Sequence, residues 1–190
     1  MSARRKNGRP GSVRIVGGTW RGRRIPIAAG ADLRPTPDRV RETVFNWLRD
    51  RVAGARCLDL FAGTGVLGLE ALSRGAAEAW LVERDPALAD GLVAMVARLA
   101  ANAHVVRDDA RRFLARAPAA AFDLVFVDPP YREPVEPLLD ALGPALRPGA
   151  LVYVERPLEP GLPVPPGGGW LKRGRAGHVE FGLWSLAAAS

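Results

Sequence analysis

The stretch RCLDLFAGTGVLGLEALSRG, residues 56–75, decides the fold. RCLDLF is mostly apolar and reads as a short buried strand. Glycines at 63, 65 and 68 then precede an apolar helical run that stops at Gly75, the residue type favoured just past a helix end. Strand, glycine turn and helix in this order open a βαβ unit. The G-x-G-x-x-G spacing lets a ligand approach the backbone at the helix N-terminus. Glu83 lies 20 residues beyond Gly63, in the next strand, EAWLVER (78–84).

Outward from this unit the alternation continues. Helix PALADGLVAMVARLA (86–100), strand HVVRD (104–108), helix ARRFLARA (110–117) and strand FDLVFV (122–127) follow in turn. Helix EPLLDAL (136–142) and strand ALVYVE (150–155) come next. After a Pro/Gly-rich loop, WLKRGRAGHVEFGLWSL (170–186) reads as a hairpin. The pattern predicts an α/β fold: a Rossmann-like, doubly wound sheet with helices on both faces and an antiparallel C-terminal edge.

Upstream, SVRIVGGTWRGRRIPI (12–27) reads as two short strands around Gly17-Gly18. In LRPTPDRVRETVFNWLRD (33–50) a helix is expected from Thr36-Pro37-Asp38, with Thr36 as cap and Pro37 in the first turn. Val40, Val44, Trp47 and Leu48 form its inward face. The expected organisation is a disordered basic tail (1–11), an N-terminal hairpin and helix (12–51) and the α/β domain (52–190).

Charge is informative by position. The formal net charge is +7, from 27 Lys+Arg and 20 Asp+Glu. Eight of the bases precede Ile25, and the first acid is Asp32, which leaves 19 bases against 20 acids in the rest. The excess sits on an arm where Arg14, Arg21, Arg23 and Arg24 are interleaved with Val13, Ile15, Val16 and Trp20. A solubilising tail needs no such apolar residues; a polyanion-binding surface does, and nucleic acid is the expected partner. Arg34, Arg39 and Arg41, near the helix entry, face either nucleic acid or solvent on this reading, and Trp20 pins the hairpin to the domain. The single cysteine, Cys57, excludes an internal disulfide and a Cys-based zinc cluster, and fits a core position in a reducing cytoplasm. No apolar run reaches membrane-spanning length. His104 and His178 have no nucleophile or metal partner in the pattern and read as structural.

The glycine spacing alone leaves NAD and other adenosine cofactors open. Asp59, just before the turn, opposes a pyrophosphate and suits a ligand bearing positive charge, such as the amino group of S-adenosylmethionine. Glu83 is placed for two ribose hydroxyls. Asp109, with the Ala110 N–H, is placed for an adenine amine or else caps a helix.

The fourth strand ends in Asp128-Pro129-Pro130-Tyr131. A planar amine is a poor nucleophile because its lone pair is delocalised into the ring. Asp128 can accept one of its N–H bonds and the Pro129 carbonyl the other, with both prolines fixing the backbone. Tyr131 can stack on a base turned out of its helix.

This motif, with a D-x-F-A-G-T-G loop, resembles the amino-directed S-adenosylmethionine methyltransferases. RIVGGTWRGRRIPI, LRPTPDRVRETVFNWL, CLDLFAGTGVLGLEALSRGA and FVDPPY together resemble the bacterial RsmD family, guanine-N2 methyltransferases of 16S ribosomal RNA, over residues 13–184. The usual aromatic there is Phe; Tyr131 retains the ring and adds a hydroxyl. The resemblance implies Asp128, Pro129, Pro130 and Tyr131 as the catalytic set. It implies Asp59, Phe61, Ala62, Gly63, Thr64, Gly65, Glu83, Arg84, Asp109 and Ala110 around S-adenosylmethionine, with no metal. Arg14, Arg21, Arg23, Arg24, Arg34 and Arg39 would meet RNA in an assembling small subunit, and the enzyme would be a cytoplasmic monomer.

Three rival readings stand beside it. The same chemistry serves DNA adenine, a protein glutamine or a small metabolite amine; the basic arm disfavours the metabolite and the N-terminal motif the other two. An NAD-dependent oxidoreductase fits the glycines but leaves Asp-Pro-Pro-Tyr unexplained. A non-catalytic RNA-binding protein needs no amine-activating carboxylate.

Overall fold

The computed structural model describes residues 11–27, 36–167 and 169–185. A two-stranded sheet, β1 (Ser12–Arg14) and β2 (Arg24–Pro26), precedes α1 (Asp38–Trp47). The main domain runs β3 (Arg56–Asp59), α2 (Val66–Ser73), β4 (Glu78–Glu83), α3 (Pro86–Leu99), β5 (Ala103–Arg107), α4 (Ala110–Leu114), β6 (Phe122–Val127), α5 (Glu136–Leu142), β7 (Leu146–Pro157), β8 (Lys172–Ala176) and β9 (Val179–Ser185). Its seven strands order as β5-β4-β3-β6-β7-β9-β8. The first five of that order are parallel; β9 and β8 are antiparallel, as the sequence predicts.

Period-two alternation sends neighbouring strand residues to opposite faces. Cys57, Leu81, Leu124 and Phe126 meet α1, α2 and α3 on one face. Leu58, Val82, Val125 and Val152 meet Phe113 of α4 and Leu138, Leu139 and Leu142 of α5 on the other. With both faces covered, the strands need to be apolar throughout. The crossover reverses between β3 and β6, and the cleft beyond their carboxyl ends is where such sheets take ligands.

The arm is part of the same core. Val13, Ile15, Ile25, Val40, Val44, Phe45 and Leu48 are buried with residues of α2 and β3. The β1–β2 pairing is present, but Gly17-Gly18 is not its tight turn: residues 15–23 form a longer loop that docks on the end of α2. Thr19 N donates to Ser73 O at 2.7 Å, Trp20 N to Ser73 Oγ at 2.9 Å, and Ser73 Oγ to Gly17 O at 2.6 Å. A Cβ on Gly18 would lie 1.7 Å from Ser73 O, so close approach rather than hairpin geometry requires glycine there. Trp20 packs partly buried against the core.

Two further expectations change at α1. Thr36 does not cap it; no side chain does, and the Thr36 hydroxyl points instead toward Asp128. Arg41, expected to face RNA or solvent, is fully enclosed and paired with Asp38 and Glu70. Arg34 and residues 1–10, the greater part of the expected disordered tail, lie outside the described residues.

Candidate active site

A cavity of about 620 Å³ opens at the carboxyl ends of β3, β4, β5, β6 and β7. Asp59, Phe61, Ala62, Gly63, Thr64, Glu83, Arg84, Asp109, Ala110, Asp128, Pro129, Pro130 and Tyr131 all line it. Gly65 does not; it caps the N-terminus of α2 in the left-handed conformation.

The loop after β3 is pinned to both neighbouring strands. Leu60 N donates to Phe126 O and Ala62 N to Val82 O, at 3.1 and 2.9 Å. Gly68 lets α2 lie against the sheet, since a Cβ there would come 2.3 Å from Leu81 Cδ2. Glu83 is oriented by two backbone donors: Gly63 N reaches Oε2 and Asp85 N reaches Oε1, each at 2.8 Å. A carboxylate accepts about four hydrogen bonds, so Glu83, which lines the cavity, retains acceptor capacity beyond these two.

Asp59 is 2% exposed, and Gly68 N donates to its Oδ2 at 3.3 Å. Burial pushes its carboxyl up to about 7, against the lowering effect of backbone donors from Gly68 and Phe61, and nearby Glu83 adds to the rise. Asp109 caps α4, its Oδ1 accepting from Arg111 N at 2.9 Å and Arg112 N at 3.3 Å, while it lines the cavity. Its neighbour Asp108, which the sequence pattern does not single out, is the more buried of the two. Asp108 Oδ1 accepts from Asp109 N at 2.9 Å, and Oδ2 faces Arg116 Nη2 at 2.5 Å.

Across the cleft, Asp128 follows β6. Burial holds its carboxyl well above the usual range, and the charges of Glu155 and Asp59 raise it further; the Thr36 hydroxyl and Arg156 oppose this. Thr36 Oγ1 donates to Asp128 Oδ2 at 3.4 Å. Pro129 is buried, whereas Tyr131 is 54% exposed at the cavity mouth, its ring free to meet a planar group. Glu155, from β7, completes the wall, and nothing in the sequence pattern marks it; it is 6% exposed and accepts from Tyr153 Oη at 2.7 Å. Buried Asp59 and Glu155 and half-buried Asp128 therefore face one cavity from adjacent strands, an arrangement that favours a cationic or hydrogen-bond-donating ligand.

Residues 13–185 match the family described as conserved hypothetical protein 95. The chain is 48% identical over 184 residues to ribosomal RNA small subunit methyltransferase D of Escherichia coli, covering 94% of this chain and 92% of that one. The chain belongs to the RsmD family. The Haemophilus influenzae methyltransferase D is 39% identical, with 92% and 94% of the two chains covered. The solved structure of the Escherichia coli protein yhhF superposes with a TM-score of 0.85 at 44% identity, over 94% of this chain and all of that one.

Of the arginines expected at RNA, Arg21, Arg23, Arg24 and Arg39 are exposed. Arg24 Nη1 donates to Ser12 Oγ at 3.0 Å. Arg14 is exposed as well but pairs with Asp38 at 2.8 Å. No helix among the described residues is long and apolar enough to cross a membrane.

Proposed function

We propose that this chain transfers a methyl group from S-adenosylmethionine to the exocyclic N2 amine of a guanine in 16S ribosomal RNA. The observation that carries this reading is the convergence of Asp128-Pro129-Pro130-Tyr131 with Asp59 and Glu83 in one cavity. The cofactor fits those residues: the cavity has the volume of a small-molecule site, its buried carboxyls suit a positively charged ligand, and Glu83 has acceptor capacity for a diol. When bound, S-adenosylmethionine supplies an electrophilic methyl group on a sulfonium that departs as a neutral thioether.

The protein's own work is positioning. Glu83 accepts from the ribose hydroxyls, Asp59 favours the positively charged end, and Asp109 with Ala110 N–H flanks the adenine. Phe61, Ala62, Gly63, Thr64 and Arg84 enclose these groups. Tyr131 stacks on the guanine. Asp128 and the Pro129 carbonyl accept the two amine N–H bonds, turning the nitrogen lone pair toward the methyl carbon. Holding the reactants in line removes much of the barrier, and hydrogen bonds that tighten as nitrogen loses planarity lower it further.

Arg21, Arg23, Arg24 and Arg39, with Arg14 and Arg34, hold phosphates and set the register of the RNA. The hairpin and helix of residues 12–51 are the RNA-facing part and residues 52–190 the methyltransferase domain. The substrate is RNA within an assembling or assembled small subunit, and the enzyme acts in the cytoplasm as a monomer.

The test is incubation with radiolabelled S-adenosylmethionine and small subunits that lack the mark, followed by digestion to nucleosides and mass spectrometry. N2-methylguanosine is the expected product. Label in DNA adenine or protein glutamine, with none in RNA, overturns the substrate assignment.

A further inference from the structure

Glu155 has no part in the reading above, which it presupposes. In the parallel β6–β7 register Val127 lies opposite Val154, so Asp128 and Glu155 are the next lateral pair at the strand ends. Laterally paired residues project to the same face of a sheet. Both line the cavity, and Tyr153 Oη fixes Glu155 from behind at 2.7 Å. Thr36, from the segment before α1, is buried between the sheet end and the arm, and its hydroxyl bonds Asp128 Oδ2 at 3.4 Å. Thr36 lines the same cavity as both carboxyls, and its hydroxyl holds the proton affinity of Glu155 down against the larger effect of burial.

A hydroxyl donates one proton and accepts another. Thr36 can therefore accept from a protonated Asp128 while donating to an ionised Glu155, forming one continuous chain. The charged and titratable groups around the pair are Asp59 at the end of β3, and Tyr153 and Arg156 on β7. Arg156 Nη1 is engaged elsewhere, donating to Glu133 O at 2.6 Å. Two carboxylates in one buried site do not both ionise readily, and burial raises the proton affinity of each here.

We propose that Glu155 is the second carboxylate of the site: with both carboxyls ionised when the amine is bound, Glu155 takes through the Thr36 hydroxyl the proton that the methylated amine releases, and the pair ends the step holding that one proton. The nitrogen lone pair forms the N–C bond as the C–S bonding pair withdraws to sulfur. The resulting ammonium then gives one proton to the Asp128 carboxylate and keeps the N–H bonding pair as its new lone pair. Asp128 passes a proton to Thr36 Oγ, and Thr36 passes its own to Glu155. Asp128 returns to its ionised form beside a neutral secondary amine. Glu155 acts through Thr36 and Asp128 and is a positioning and proton-storing residue.

The test combines two readouts. Carboxyl-carbon NMR follows Asp128 and Glu155 with pH in the free protein, for wild type, Glu155→Gln and Thr36→Val; kcat and KM are measured against pH for the same proteins. In Glu155→Gln the Asp128 midpoint falls by one pH unit or more, because a raising charge is gone. The acid limb of kcat follows it down, plateau kcat drops about tenfold, and KM for the RNA stays within about twofold. In Thr36→Val the pair loses the one hydroxyl donor that its ionised member accepts from, so the lower of the two midpoints rises, and this variant carries the test should Glu155→Gln not fold. Unchanged midpoints in the folded variants, or a kcat profile that ignores Glu155→Gln, overturn the proposal. A wild type that methylates no guanine amine overturns instead the function it rests on, while the titrations still report on the pair.

Discussion

Arg41 Nε donates to the backbone carbonyl of Thr36 at 3.1 Å. The guanidinium is fully enclosed, with Nη1 3.2 Å from Glu70 Oε2 and Nη2 2.5 Å from Asp38 Oδ1. Glu70 in turn accepts from Val16 N at 2.8 Å and pairs with Arg74 at 2.9 Å. A single polar network thus joins the basic arm, α1 and α2. It fixes the backbone of Thr36, whose hydroxyl reaches Asp128. The arm is in this way connected to the wall of the active site.

Arg41→Met leaves Glu70 buried with one charge partner fewer and frees the Thr36 carbonyl. Removing one member of a buried ion pair typically destabilises by about 3–5 kcal/mol, and a loss of that size is expected in urea unfolding. Arg41→Lys keeps the charge but cannot serve three acceptors in fixed directions, so its stability should fall between wild type and Arg41→Met.

Asp59 has opposite effects on stability and on binding. Its folded-state pKa of about 7 lies above the ordinary 3.8, so the protonated form favours the folded state. That contribution is complete below pH 3.8 and is lost as pH rises through about 7. Asp59→Asn cannot ionise, so its stability relative to wild type should improve by about 1.4 kcal/mol per pH unit across that window and level off above it. The same variant should bind S-adenosylmethionine poorly. In wild type the affinity should rise with pH up to about 7, with proton release visible by calorimetry in buffers of different ionisation enthalpy.

Arg21 and Arg23 are exposed and carry no ion pair among the described residues. Arg21→Glu with Arg23→Glu should leave thermal stability nearly unchanged and weaken RNA binding. The slope of log affinity against log salt should fall by about 0.7–0.9 for each phosphate that the arm no longer neutralises. Filter binding at several salt concentrations measures it.

Tyr131 stands 54% exposed at the cavity mouth. If its ring stacks on the target base, Tyr131→Phe retains kcat/KM within about twofold. Tyr131→Ala should lose about 1–3 kcal/mol of transition-state stabilisation, roughly a 5- to 150-fold fall in kcat/KM.

The sheet and its nucleotide-type loop were legible because they depend on local pattern. The glycines of residues 63–68, the apolar run of β6 and the Asp-Pro-Pro-Tyr end each announce a backbone requirement in a few residues. Glu155 was not legible, because only the lateral register of β6 and β7 brings it beside Asp128. Thr36 resembles a helix cap in sequence; the fold of the arm turns its hydroxyl toward Asp128 instead. Arg41 looked like a surface base because its partner Glu70 is 29 residues away. Gly17-Gly18 looked like a turn because the sequence does not show that Ser73 O lies where a side chain would go.

Asp128→Ala, assayed for S-adenosylmethionine binding and for single-turnover methyl transfer to small-subunit RNA, tests the account most directly. Cofactor affinity should stay within about threefold of wild type, and N2-methylguanosine formation should fall by about 100-fold or more. Methyl transfer at the wild-type rate in this variant would contradict it.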